Sequence, residues 1–247
     1  HSLSFDGSND EVDFTSSGFQ TALNASNGNF RETGSVSIWA RVNTTGANGQ
    51  MWDFSISANS RIHLQYKHND DSFTATYRAE GVNKIANHNP SGTQEGDGNF
   101  HHVVCTWDRA SANELKLYFD GSLQTTTTLT ATISDDFDDT ADSTVGQSGA
   151  GGVEFLSGTS FNGNADYNGF IDDFAVYSSV LSSSEVTTLY NSGTSDQTNV
   201  DTVGTIIAHW TFNEGTGTTV TDRINGFVGT FGSGSNAPRF STTNAGA

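Results

Sequence analysis

Apolar and polar residues alternate with a period of two along much of this chain. Over 35–42, Val36, Ile38, Ala40 and Val42 fall on one face and Ser37, Trp39 and Arg41 on the other. Over 61–67, Ile62, Leu64 and Tyr66 oppose His63, Gln65 and Lys67. Successive side chains of a strand point to opposite faces, so this period fits half-buried strands and not helices. Further strands are read over 49–57, 72–78, 101–108, 114–119 and 170–177, with turn signals such as Asn69-Asp70-Asp71 and Asp120-Gly121-Ser122 between them. The pattern predicts an all-β chain folded as a two-sheet antiparallel β-sandwich. A single regular helix is expected over 183–191: Ser182 can cap it, Val186, Leu189 and Tyr190 form its apolar stripe, and Gly193 is placed to end it. Segments 79–99 and 134–142 read as irregular, 194–205 as a polar connector, and 232–247 as a flexible tail or arm.

Charge narrows the partners. Asp and Glu number 28 against 10 Lys and Arg, a net charge of −18, so phosphate would be repelled and nucleic acid is excluded as a partner. No apolar run reaches the ~18 residues of a membrane span, so membrane insertion is not expected. The chain opens on His1-Ser2, and its single Met is Met51. Cys105 is the only cysteine, which rules out an intrachain disulfide. His101 and His102 are adjacent on a strand and point to opposite faces, which argues against a zinc site. No Gly-x-Ser-x-Gly elbow is present.

Five motifs in order carry a resemblance: Leu3 to Val12, Gly34-Ser35-Val36-Ser37-Ile38-Trp39, Phe100 to Asp108 leading into Leu115 to Gly121, Phe170 to Tyr177 with Leu181 to Val186 and the helix after it, and Ala208 to Thr218. Together they resemble the laminin-G-like and pentraxin branch of the concanavalin A-like (jelly-roll) sandwiches. The resemblance implies one domain over 1–231, its short helix capping an open end of the sandwich. The fifth motif then serves as a closing strand; the rival reading is the start of a second module, and pairing with the N-terminal strand would decide.

The resemblance also implies sites. Retaining glucanases of this fold carry Glu-x-Asp-x-(x)-Glu. Glu11-Val12-Asp13 begins that pattern, but Thr15 and Ser16 follow, so no enzyme is expected. The paired calcium ligands of pentraxins are absent from Asn59-Ser60 and from Gly146-Gln147-Ser148-Gly149-Ala150-Gly151. A single structural calcium, as in the glucanase relatives, is expected at Asp172, with Glu214, Asp222 and Asp10 as further ligands. Cys105 occupies a disulfide position whose partner aligns with Ile38, and should be a small buried hydrophobe. Trp39, Trp52, Trp107 and Trp210 are expected to pack rather than to bind. Tyr66, Tyr77, His63, Gln65, Arg78, Phe155 and Tyr167 are the candidates for contact with a sugar. The function expected is a non-catalytic, extracellular, lectin-like module binding carbohydrate or a cell-surface glycan and stabilised by calcium. The alternative is a structural or adhesive domain of a larger assembly, such as a virion fibre or adhesin, working through self-association or neighbouring subunits.

Overall fold

The structure is a computed structural model that describes residues 1–8, 10–14, 18–25, 30–43, 48–57, 59–88, 97–133, 152–155 and 167–245. Its elements in chain order are β1 (Ser2–Asp6), β2 (Val12–Asp13), α1 (Phe19–Ala25), β3 (Thr33–Val42), β4 (Gly49–Ser57), β5 (Ser60–Lys67), β6 (Ser72–Ala79), β7 (Val82–His88), β8 (His101–Asp108), β9 (Glu114–Phe119) and β10 (Ser122–Thr128). They continue with β11 (Gly152–Phe155), β12 (Asn168–Tyr177), α2 (Ser183–Tyr190), α3 (Gln197–Val200), β13 (Ile206–Trp210), β14 (Thr219–Thr221), β15 (Val228–Phe231) and β16 (Arg239–Ser241).

Two antiparallel sheets result. Sheet I runs β10-β9-β8-β3-β12-β1-β16, and sheet II runs β14-β15-β2-β11-β4-β5-β6-β7. Strand β12 is long enough for Leu3 to Asp6 of β1 and Ile206 to Trp210 of β13 to share its second edge. The alternation in the sequence is the alternation in space. Val36, Ile38, Ala40, Ile62 and Leu64 all lie in the core. Aromatic rings fill its middle. Trp107 meets Phe30 edge-on at 4.7 Å, and its indole N–H donates to the Phe30 carbonyl at 2.6 Å. Trp210 meets Phe14 at 4.4 Å and Phe19 at 5.1 Å. At one side the sheet edges are joined by hydroxyls: Thr125 and Thr127 of β10 each donate at 2.6 Å to the Asn87 and Ile85 carbonyls of β7. That satisfies acceptors an edge strand would otherwise leave open.

Several expectations are corrected. Strand β13 pairs with β12 and not with the N-terminal strand, while β14 and β15 join sheet II; the segment after the helix thus serves both sheets of one sandwich. The region 79–99 contains strand β7, because Phe73 to Ala79 offers it a complete partner ladder. The segment 232–247 is not a free arm over its described part: β16 pairs with β1, and Phe240 packs on Phe231 at 5.4 Å. Helices α1 and α3 accompany α2, with Phe19 and Leu23 of α1 inserted in the core. Cys105 is buried and free as expected, yet it lies opposite Val36, not Ile38.

Helix α2 forms where Ser182 and Glu185 make a reciprocal capping box. It ends at Asn191 (φ 44°), two residues before the glycine expected to stop it. Val186 and Leu189 lie on Val104, Tyr118, Ala175 and Tyr177, building a second small core on the outer face of sheet I. The helix therefore covers a sheet face rather than an open end.

Candidate functional site

The residues expected to contact sugar divide by strand parity. Tyr66, Tyr77 and Tyr167 are at most 2% exposed, so their rings offer no platform. Tyr66 shares the core face of β5 with Ile62 and Leu64. Tyr77 donates to the Arg31 carbonyl at 2.7 Å, and burial pushes its phenol up to about 12. Tyr167 donates to the Arg41 carbonyl at 3.0 Å. His63, Gln65 and Arg78 lie on the opposite face of sheet II. There His63 accepts from Arg61 Nε at 3.0 Å, and Arg61 lies 3.5 Å from Asp53, which also accepts a short hydrogen bond from Gln50. Burial and then the charges of Arg61, Arg78 and Lys67 hold His63 well below its ordinary pKa. Arg78 donates to Asn59 at 3.1 Å, and Gln65 is half-buried. Phe155 occupies β11 opposite Trp52; its side chain lies outside the described residues. The acidic run 135–142 also lies outside them.

A calcium ion needs six to eight oxygens turned toward one point. The four expected ligands instead turn theirs toward backbone N–H groups. Asp172 accepts from Ala245 and Asp173, both at 3.0 Å. Asp222 accepts from His209 at 2.5 Å, Ile224 at 3.0 Å and Asn225 at 2.7 Å, fixing the turn after β14. Asp10 accepts from Asp6 at 2.8 Å, and the exposed Glu214 from Thr221 at 2.8 Å. Among the described residues, no three His, Cys, Asp or Glu side chains could hold a metal ion. No three of Asp10, Asp172, Asp222 and Glu214 stand together as such a group. Burial, and then the neighbouring Asp173 carboxylate, instead raise the pKa of Asp172.

Among the described residues, concave ground lies on the outer face of sheet I beside α2. Two cavities of about 460 and 590 Å³ adjoin there and share Asp120 and Tyr190 as lining residues. The first is walled by Arg41, 98–101 and 243–245, the second by the Gly121-Ser122 turn and the C-terminal end of α2. Register explains the layout: Trp39 lies opposite His102 and Asp172, and Arg41 opposite Phe170. Tyr190 is half-buried and stacks at 18° over Trp39, with His102 also beneath it. His102 Nε2 and the Ser37 hydroxyl are 2.8 Å apart, and burial lowers the His102 pKa to about 3, so the ring is neutral.

His101 has the opposite character. Its ring nitrogens lie 2.9 Å from Asp120 and 2.9 Å from Asp97. Burial alone would lower its pKa, but the bonds to Asp120 and Asp97 outweigh it and hold the group above the ordinary histidine value. Asp120 also accepts the His102 N–H at 2.9 Å. Arg41 lies over two rings, 4.0 Å from the Phe170 centroid and 5.8 Å from that of Phe100. Aromatic faces, a fixed cation and amide-bearing Asn99 and Asn244 thus converge on one groove. None of these was named as a site from sequence. Asp97 sits in a second Glu-x-Asp, Glu95-Gly96-Asp97, followed by Asn99 and Phe100 and so without the second Glu of a glucanase.

No curated protein matches this chain significantly. Among solved structures, it is similar to a "putative carbohydrate binding protein" from Bacteroides ovatus at 15% identity and TM-score 0.64, covering 99% of this chain and 60% of that one. A point mutant of HCR/D aligns at 17% identity and TM-score 0.50, over 68% of this chain and 38% of that one. The botulinum neurotoxin serotype D binding domain aligns at 17% identity over 67% of this chain and 39% of that one, with TM-score 0.48. At these identities the likeness is one of fold, and the chain spans 60% or less of each structure's length. No helix among the described residues is long and apolar enough to cross a membrane. The sandwich topology and a match to Laminin_G_3 over residues 6–187 agree: the chain belongs to the concanavalin A-like lectin/glucanases superfamily.

Proposed function

We propose that this protein is a non-catalytic, extracellular glycan-binding module whose sugar site is the paired groove around Tyr190. The observation that carries this reading is the Tyr190 ring, backed by Trp39 and standing at the wall shared by two cavities. Sugar C–H faces stack on such a ring, while hydroxyls exchange directed hydrogen bonds with fixed planar groups, here the Asn99 and Asn244 amides. The cavity volumes lie in the range of small-ligand sites. Family membership and the name of the Bacteroides ovatus structure support the same reading. The non-catalytic reading is supported by the sequence, where neither Glu11-Val12-Asp13 nor Glu95-Gly96-Asp97 is followed by the second Glu of the glucanase pattern. The reading requires no calcium through Asp10, Asp172, Asp222 or Glu214.

A glycan array with wild type and Tyr190→Ala tests it. Retained glycans should be lost at least tenfold in the variant while the fold is kept by circular dichroism. Binding unchanged in Tyr190→Ala, or no glycan bound by wild type, overturns the proposal. Reducing ends released from a bound polysaccharide would overturn its non-catalytic part.

A further inference from the structure

Resting on the glycan-binding reading, we infer that the sugar this groove accepts is anionic, with its carboxylate or sulfate seated on Arg41. This chain has 28 acidic residues and 10 Lys and Arg, so acceptors for a cation abound. Arg61 and Arg223 have taken them, at 3.5 Å from Asp53 and 3.0 Å from Asp201. Arg41 has not. Among the described residues its guanidinium makes no hydrogen bond and no ion pair, and its contacts are the faces of Phe170 and Phe100. Stacking on a ring holds the guanidinium plane while leaving its N–H edge free to donate.

The acidic groups facing the groove are already engaged. Asp97 and Asp120 bind His101, whose raised pKa favours the imidazolium and offsets part of their charge. Asp172, the outward neighbour of Phe170 on β12, is buried on the Ala245 and Asp173 N–H groups. The groove therefore presents a fixed fork donor without its acceptor, and a planar carboxylate or a sulfate ester fits that fork bidentately. A neutral sugar would leave it unused. The rest of the molecule is negative, so approach of an anionic chain is opposed at long range. Screening removes that opposition, with a Debye length of about 8 Å at 0.15 M salt. Affinity is thus expected to survive moderate salt better than an ordinary ionic complex would.

Calorimetric titration with three oligosaccharides of equal length tests this: a uronic acid oligomer, a sulfated galactan oligomer and a neutral glucan oligomer, all with EDTA present. At least one acidic oligomer should bind tenfold or more tighter than the neutral one. Arg41→Gln should erase that preference, and Arg41→Lys should keep part of it. Which acidic oligomer wins separates carboxylate from sulfate. If the neutral oligomer binds as tightly as both acidic ones, or Arg41→Gln retains the preference, the inference fails while glycan binding stands. If no oligomer binds and the array is blank, the underlying reading fails with it. Melting curves of both variants, expected close to wild type, exclude misfolding as the cause.

Discussion

Arg41 and Arg61 occupy comparable places, each on the outer face of a sheet in the same sandwich, yet they are treated in opposite ways. Arg61 is buried with Asp53 and His63, its charge met by the Asp53 carboxylate inside a polar cluster. Arg41 is half-buried on two phenyl rings, beside cavities, with no acceptor among the described residues. The contrast separates a charge that serves the fold from one that awaits a partner. Removing one member of a buried pair strands the other, whereas removing a cation from a groove mouth strands nothing.

The largest expected effect follows from that. Asp53→Ala should cost about 3–5 kcal/mol, as breaking a buried ion pair does, while Arg41→Gln should cost about 1 kcal/mol or less. Urea unfolding of both variants checks this, and equal costs would erase the distinction.

The histidines sharpen the comparison through pH. His63 and His102 have pKa values lowered in the fold, so below about 6.5 the unfolded chain takes up protons that the folded chain refuses. Their contribution is complete above that pH and is lost as pH falls toward their folded values. His101, raised in the fold, works the other way: its contribution is present below about 6.5 and is lost as pH rises through its folded pKa. Melting temperature followed from pH 7.5 to 5 should therefore fall less steeply in His102→Asn than in wild type. It should fall more steeply in His101→Asn.

Smaller effects are expected at Cys105 and from chelation. Cys105 is fully buried, and burial alone pushes its thiol pKa up, so native labelling by a thiol reagent should proceed no faster than unfolding. EDTA should leave the melting temperature unchanged as far as Asp10, Asp172, Asp222 and Glu214 are concerned. A drop in wild type that is absent in Asp172→Asn would restore the calcium reading.

The fold was legible because strand parity is local: Val36, Ile38 and Ala40 announce their burial in three alternate positions. The same parity placed Tyr66 beside Ile62 and Leu64, a signal of burial that outweighed its attraction as a sugar platform. The groove carries no such mark. Arg41 comes from β3, Asp97 from the approach to β8, His101 from its first position, Asp120 from the β9–β10 turn, Tyr190 from α2, and Asn244 from the last described residues. Tyr190 reads in the sequence as one more apolar position on a helix, and only the docking of α2 on sheet I brings it over Trp39. Strand β16 was hidden by its Gly-, Ser- and Asn-rich approach, since its stability comes from the β1 edge and Phe231 rather than from propensity.

The most direct test of the account is to map a bound oligosaccharide by amide chemical-shift perturbation. The account predicts shifts concentrated at 97–101, 120–122 and 187–193, with Arg41 and Asn244 among them. Shifts concentrated instead at Asp53, His63 and Thr76 on the outer face of sheet II, with the Tyr190 groove silent, would contradict it.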